Sequence, residues 1–245
     1  MTTRLAIAAL LLVAMFELAA CSRLSGKPAP GPEVPRPDSV LDPVVLFSQN
    51  CAGCHGADGR KGAAKDLSDP VYLAIVDDET LRSTISKGRP GTAMSAFAQK
   101  EGGMLTDDQV TAIIRGIRER WGKPNALAGV AAPSYAATQL GNAQPGEAVY
   151  ANFCASCHGA GDKGGPKAGS VTNPSYLSLI SDQGLRTIVI TGRPDFGAPD
   201  WRENIPGHPM ADQQISDVVA WLAAQRPKHP VQVSAANPPS PEGIH

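Results

Sequence analysis

Apolar residues recur at helical spacing in two well-separated stretches. Val110, Ile113, Ile114 and Ile117 share one face, and Ile215, Val218, Val219 and Leu222 repeat the pattern about a hundred residues later. The first stretch is introduced by Leu105-Thr106-Asp107-Asp108-Gln109, where Thr106 and Gln109 have the spacing of a capping box. Upstream of each stretch, a further helix is predicted to stop at Lys87-Gly88 and at Thr191-Gly192. Pro90 and Pro194 follow just beyond, the usual order of glycine at a helix end and proline after it. Alternating patterns are scarce. The prediction is therefore an all-α chain of helices joined by long, glycine-rich loops such as 159–165.

The two stretches belong to a duplication. Cys51-Ala52-Gly53-Cys54-His55-Gly56 matches Cys154-Ala155-Ser156-Cys157-His158-Gly159. Asp69-Pro70 matches Asn173-Pro174, Leu81-Arg82 matches Leu185-Arg186, and Gly88-Arg89-Pro90 matches Gly192-Arg193-Pro194, all at a nearly constant offset. The period is far too long for a solenoid repeat, so two tandem domains are expected, at 43–122 and 145–228. The small, polar segment 123–144 reads as the linker between them, and 229–245 as a loose tail.

The N-terminus follows different rules. Arg4 precedes a twelve-residue apolar run, Leu5 to Phe16, which is too short to span a bilayer and suits the core of a signal peptide over 1–20. Leu18-Ala19-Ala20-Cys21 resembles the lipoprotein signal of bacteria, which implies lipidation of Cys21 and export to the periplasmic side of a membrane. Residues 21–42 carry Pro28, Pro30, Pro32, Pro35 and Pro37 and form a stiff tether.

Composition narrows the chemistry. Lys and Arg total 22 against 23 Asp and Glu over 245 residues, so no basic excess marks a nucleic-acid footprint. Aromatic residues make up only 5%, few for domains of about 80 residues that must fill a core. With Cys21 assigned to lipid, four cysteines remain, in two C-x-x-C-H groups. That sequence is an attachment motif for c-type haem. Two thiols three residues apart reach the two vinyl groups on one porphyrin edge, and the adjacent imidazole lies under the iron. Three readings compete. A zinc ribbon would need two close pairs in each domain. A redox dithiol normally sits in a strand–helix setting. Simple disulfides would suit an exported protein.

Each unit resembles a class I cytochrome c domain, and the pair resembles the dihaem cytochromes. The resemblance implies two haem c groups. They would be held covalently by Cys51, Cys54, Cys154 and Cys157, with His55 and His158 as proximal iron ligands. The loop Pro90-Gly91-Thr92-Ala93-Met94-Ser95-Ala96-Phe97 resembles the family's distal-ligand loop and nominates Met94, with Met104 as rival. At the repeat offset the second unit has Ala198, so Met210 is expected to serve there instead. His208, or no protein ligand at all, are the alternatives. Arg82, Arg186, Arg89 and Arg193 repeat between the units, either as partners for haem propionates or as solvent-facing charge. Tyr72 and Tyr176 repeat as well, for a propionate or for packing. The implied function is electron transfer between redox protein partners at a membrane, within a respiratory or dehydrogenase complex, without a small-molecule substrate. A peroxidase-like enzyme with an open second haem is the alternative, and a haem-based sensor a third reading.

Overall fold

The computed structural model describes residue 31 and residues 34–227. The signal peptide, Cys21, most of the tether and the 229–245 tail lie outside the described residues. The described residues up to Ser39 belong to a unit of their own, in which Pro37–Ser39 make a short 3-10 turn. Its Ser39 N–H and hydroxyl both donate to the Arg36 carbonyl.

From Val40 onward the described chain is helical and contains no strand, only two isolated bridges. Its helices are α1 (Pro43–Asn50), α2 (Ala52–His55), α3 (Pro70–Ile75), α4 (Asp78–Lys87) and α5 (Asp107–Trp121), then α6 (Ala143–Phe153), α7 (Ala155–His158), α8 (Pro174–Leu179), α9 (Asp182–Thr191) and α10 (Asp212–Ala224). The second five repeat the first five in order.

The caps explain why these segments are helices. Asp42, Asp69 and Asn173 each accept two backbone N–H bonds at the start of α1, α3 and α8, and each is followed by proline at the first helical position. Thr106 and Gln109 close a reciprocal capping box on α5. Its counterpart on α10 keeps only half of that device. Gln214 Oε1 accepts from the Ala211 N–H at 2.9 Å, but Ala211 has no hydroxyl to return the bond. Both α4 and α9 stop where expected, at Gly88 (φ 68°) and Gly192 (φ 63°), a region of backbone space that a side chain resists.

In each lobe the first and last helices cross closely. At the crossing of α1 and α5, a side chain on Gly116 would meet Pro43 Cβ at 2.4 Å; at that of α6 and α10, one on Gly146 would meet the Asp217 carbonyl at 2.1 Å. The same tight crossing is thus made by a glycine on the last helix in one lobe and on the first helix in the other. Around the first crossing Leu46, Phe47, Leu73, Leu81, Val110, Ile113 and Ile117 form a core, and around the second Val149, Tyr150, Leu185, Ile190, Ile215, Val218 and Leu222 do so. Every apolar position predicted on the α5 and α10 faces is buried.

The stretch expected to be a plain linker is stitched down. Leu127 and Ala132 pack on the second core, Tyr135 on the first. Arg186, only 2% exposed, donates to the Ser134 and Tyr135 carbonyls, to Ser216 Oγ and to Asp212. It is neither a solvent-facing charge nor free for an anionic group. The lobes also touch directly. Val71 and Ile75 of α3 join the second lobe's core, and Lys65 Nζ reaches Thr191 Oγ1 at 2.7 Å.

Candidate functional site

Each C-x-x-C-H group lies across a helix junction. The chain leaves α1 at Cys51, and α2 then carries Cys54 and His55; α6, Cys154 and α7 repeat this with Cys157 and His158. The glycine-rich loops that follow fold back under the motif. The Ala64 N–H donates to the Cys54 carbonyl at 3.0 Å, and the Ala168 N–H to the Cys157 carbonyl at 3.1 Å. A side chain on Gly62 would meet the Cys54 carbonyl at 2.2 Å, and one on Gly165 the Cys157 carbonyl at 2.3 Å, so only glycine permits this approach.

The loops orient the imidazoles. His55 Nδ1 lies 2.7 Å from the Lys65 carbonyl, and His158 Nδ1 lies 2.8 Å from the Gly169 carbonyl. A carbonyl only accepts, so Nδ1 must carry the proton, leaving the Nε2 lone pair to bind a metal. This backbone hold is the usual outer-shell arrangement of a metal-bound histidine. Burial pushes the His55 pKa below its ordinary value, with the Lys65 bond opposing, which favours the neutral ring that iron requires.

The sulfurs are compatible with the same group. None of the four is in a disulfide. Burial, reinforced by the neighbouring Cys54 or Cys157, pushes Cys51 and Cys154 up to about 11. A redox dithiol needs a lowered value instead. Among the described residues no group of three or more His, Cys, Asp or Glu is gathered as an ion would require, which disfavours zinc. Two thiols with one pre-oriented imidazole suit covalent porphyrin attachment.

The other nominated residues are placed as follows. Met94 is part-buried in the loop after α4; its N–H donates to Thr92 Oγ1 and its carbonyl accepts from the Arg89 N–H at 2.8 Å. Met104 is 77% exposed. Met210 is buried in the second core, with Asn204 Nδ2 3.8 Å from its sulfur, and His208 is exposed. Arg89 donates to the Tyr135 hydroxyl, and Arg82 to Thr111 Oγ1. Arg193 is forked onto Asp195 at 2.9 and 2.8 Å. Tyr72 is buried in the first core, while Tyr176 is part-buried against the second.

The sequence reading missed a matched pair of arginines. Arg118 donates to the Leu73 and Val76 carbonyls and to Asp78, clamping the end of α3 to α4. Arg226 does the same with the Leu177 and Ile180 carbonyls and Asp182. These two are 108 residues apart, outside the offset that exposes the other repeats.

Comparison with known proteins identifies the arrangement. The family described as cytochrome c oxidase, cbb3-type, subunit III matches residues 38–115 and again 141–222. The chain belongs to that family. Subunit CcoP of a cbb3-type cytochrome c oxidase from Azospirillum sp. (strain B510) is 31% identical over 134 residues, 50% of this chain and 40% of that subunit. Subunit FixP from Sinorhizobium medicae (strain WSM419) is 26% identical over 174 residues, 69% of this chain and 55% of its own length. A dihydro-heme d1 dehydrogenase from Pseudomonas aeruginosa is 42% identical over 95 residues, 39% of this chain and 18% of that enzyme. The chain thus spans about half or less of these curated relatives. The family and the strand-free lobes together make this a cytochrome c fold.

Proposed function

We propose that this chain is a dihaem c-type cytochrome that carries electrons between redox protein partners, as a subunit of a respiratory complex on the periplasmic side of a bacterial membrane. The observation that carries the reading is the duplicated proximal set: a C-x-x-C-H group whose histidine is held through Nδ1 by a backbone carbonyl, once in each lobe. Cys51, Cys54, Cys154 and Cys157 would hold two haem c groups through thioethers, with His55 and His158 on the iron. Haem supplies a one-electron couple in each lobe. The protein's part is to exclude water, fix the imidazoles and hold the two lobes together through the 123–142 segment and the Lys65–Thr191 contact. Met94 would supply a thioether to the first iron, which would favour the ferrous state and leave no position there for a substrate.

Its CcoP and FixP relatives are named as oxidase subunits, which supports a place in such a complex. Cys21 would supply a lipid anchor. No described helix is long and apolar enough to cross a membrane. A second reading, a peroxidase-like enzyme, is favoured by one observation, the alanine at 198 where the first lobe has Met94.

The test is a pyridine haemochrome assay on purified, matured protein, followed by spectroelectrochemistry. Two covalent haems per chain, each undergoing reversible one-electron reduction, are expected. A polypeptide without haem would overturn the reading, and peroxide turnover would transfer it to the enzyme. For the anchor, Cys21→Ala is expected to move the protein from the membrane to the soluble fraction.

A further inference from the structure

Across the segment between the middle and last helices two backbone hydrogen bonds recur in both lobes, and a third recurs with its acceptor one residue further along the helix. In the first lobe the Arg89 N–H donates to the Met94 carbonyl at 2.8 Å, the Phe97 N–H to the Ile85 carbonyl at 3.1 Å, and the Leu105 N–H to the Phe97 carbonyl at 2.7 Å. In the second, the Arg193 N–H donates to the Ala198 carbonyl at 3.1 Å, the Trp201 N–H to the Ile190 carbonyl at 3.0 Å, and the Met210 N–H to the Trp201 carbonyl at 3.0 Å. This register pairs Met94 with Ala198 and Leu105 with Met210.

The second pairing changes what Met210 is. Leu105 immediately precedes the N-cap of α5 and is 4% exposed; Met210 immediately precedes the N-cap of α10 and is 3% exposed. Both belong to the hydrophobic core of their lobe. Met210 therefore fills a packing position that the first lobe gives to leucine, and the loop before it makes contact through the Asn204 amide, 3.8 Å from the sulfur. The second lobe has no methionine besides Met210. His208 is exposed in the loop before α10, its N–H donating to the Ile205 carbonyl at 2.9 Å.

We propose that the second haem of this chain has no protein ligand on its distal side, and that the position beside Ala198 admits a small neutral diatomic molecule. The proposal rests on the haem reading above. Beside Ala198, Gly197 has no side chain and the Pro199 ring carries no hydrogen-bond donor for an anion. The nearby cation Arg193 is neutralised by its two-point pairing with Asp195.

The test uses the full chain matured with haem, and its probe is carbon monoxide. Haem is counted first by pyridine haemochrome; a count below two overturns the dihaem reading itself. With two haems present, titration of the reduced protein is expected to bind one carbon monoxide per chain. The oxidised protein is expected to show the near-infrared thioether–iron band at the strength of one site. Met94→Ala should abolish that band, whereas Met210→Leu, a volume-conserving change to the residue of the first lobe, should leave it intact. Ala198→Met should double the band and abolish carbon monoxide binding. Two haems with no carbon monoxide uptake, or a band halved by Met210→Leu, would overturn the proposal.

Discussion

Removing the guanidinium of Arg186 isolates the energy that fastens the 123–142 segment to the second lobe. In Arg186→Met the Ser134 carbonyl loses both of its donors, at 3.1 Å from Nε and 2.8 Å from Nη2. Other groups keep partners. The Tyr135 carbonyl still accepts from Gln183 at 2.8 Å, and Ser216 Oγ still donates to the Asp212 carbonyl at 3.2 Å. Asp212 loses its ion pair, but its side chain is 34% exposed, so water screens most of that loss to about 1 kcal/mol or less. An orphaned, part-buried carbonyl costs about 1–3 kcal/mol. The sum is about 1–4 kcal/mol, centred below the 3–5 kcal/mol of a fully buried broken pair. At an m-value near 3 kcal/mol/M, the urea midpoint of the matured protein should fall by about 1 M. Limited proteolysis should cut first within 123–142. Arg186→Lys should recover only part of the loss, because an ammonium cannot reach a carboxylate and two carbonyls as a planar fork does. A midpoint within about 0.2 M of the parent, measured with the same m-value, or a lysine variant as stable as the parent, would refute this account of the segment.

Three other perturbations have definite signs. Gly146→Ala gains about 1 kcal/mol of helix propensity but drives a methyl group to 2.1 Å from the Asp217 carbonyl. Overpacking of about 1–3 kcal/mol should win, lowering the melting temperature by a few degrees in a calorimetric scan. Ala211→Thr completes the half-built cap on α10 and should raise stability by about 1 kcal/mol in urea titrations, and Ala211→Val should not. Asp195 is held below the ordinary 3.8 chiefly by the Arg193 hydrogen bonds, with burial opposing. A carboxylate with a depressed folded-state pKa stabilises in full above its unfolded value, and that contribution is lost as pH falls through the folded value. Stability should therefore fall on acidification below about pH 4, and Asp195→Asn should flatten that part of the profile.

Much of the fold was legible because its signals are local. The core faces of α5 and α10, the Thr106–Gln109 box and the glycine stops at 88 and 192 each depend on neighbours within a few residues, and each appears where the pattern predicts. What escaped depends on tertiary partners. The 123–142 segment reads as a linker because its anchors are main-chain carbonyls, which the sequence does not distinguish. Arg118 and Arg226 stayed hidden because they are not equivalent positions of the repeat: Arg118 directly follows Ile117 within α5, whereas Arg226 lies four residues after Leu222, beyond the end of α10. Arg186 looks like a surface charge because its burial arises from the returning segment. The offset of the middle helices puts Ala198 opposite Met94, while the offset of the last helices and the backbone hydrogen bonds both put Met210 opposite Leu105.

The Lys65 contact makes the lobes something other than interchangeable modules. The residue whose carbonyl seats the His55 ring extends its own side chain to Asp69 and, across the boundary, to Thr191 at the end of α9. Prising the halves apart would remove one anchor of the backbone behind that imidazole. A gene fragment encoding the first half alone, once matured with haem, is expected to show a midpoint different from the one it has in the whole chain.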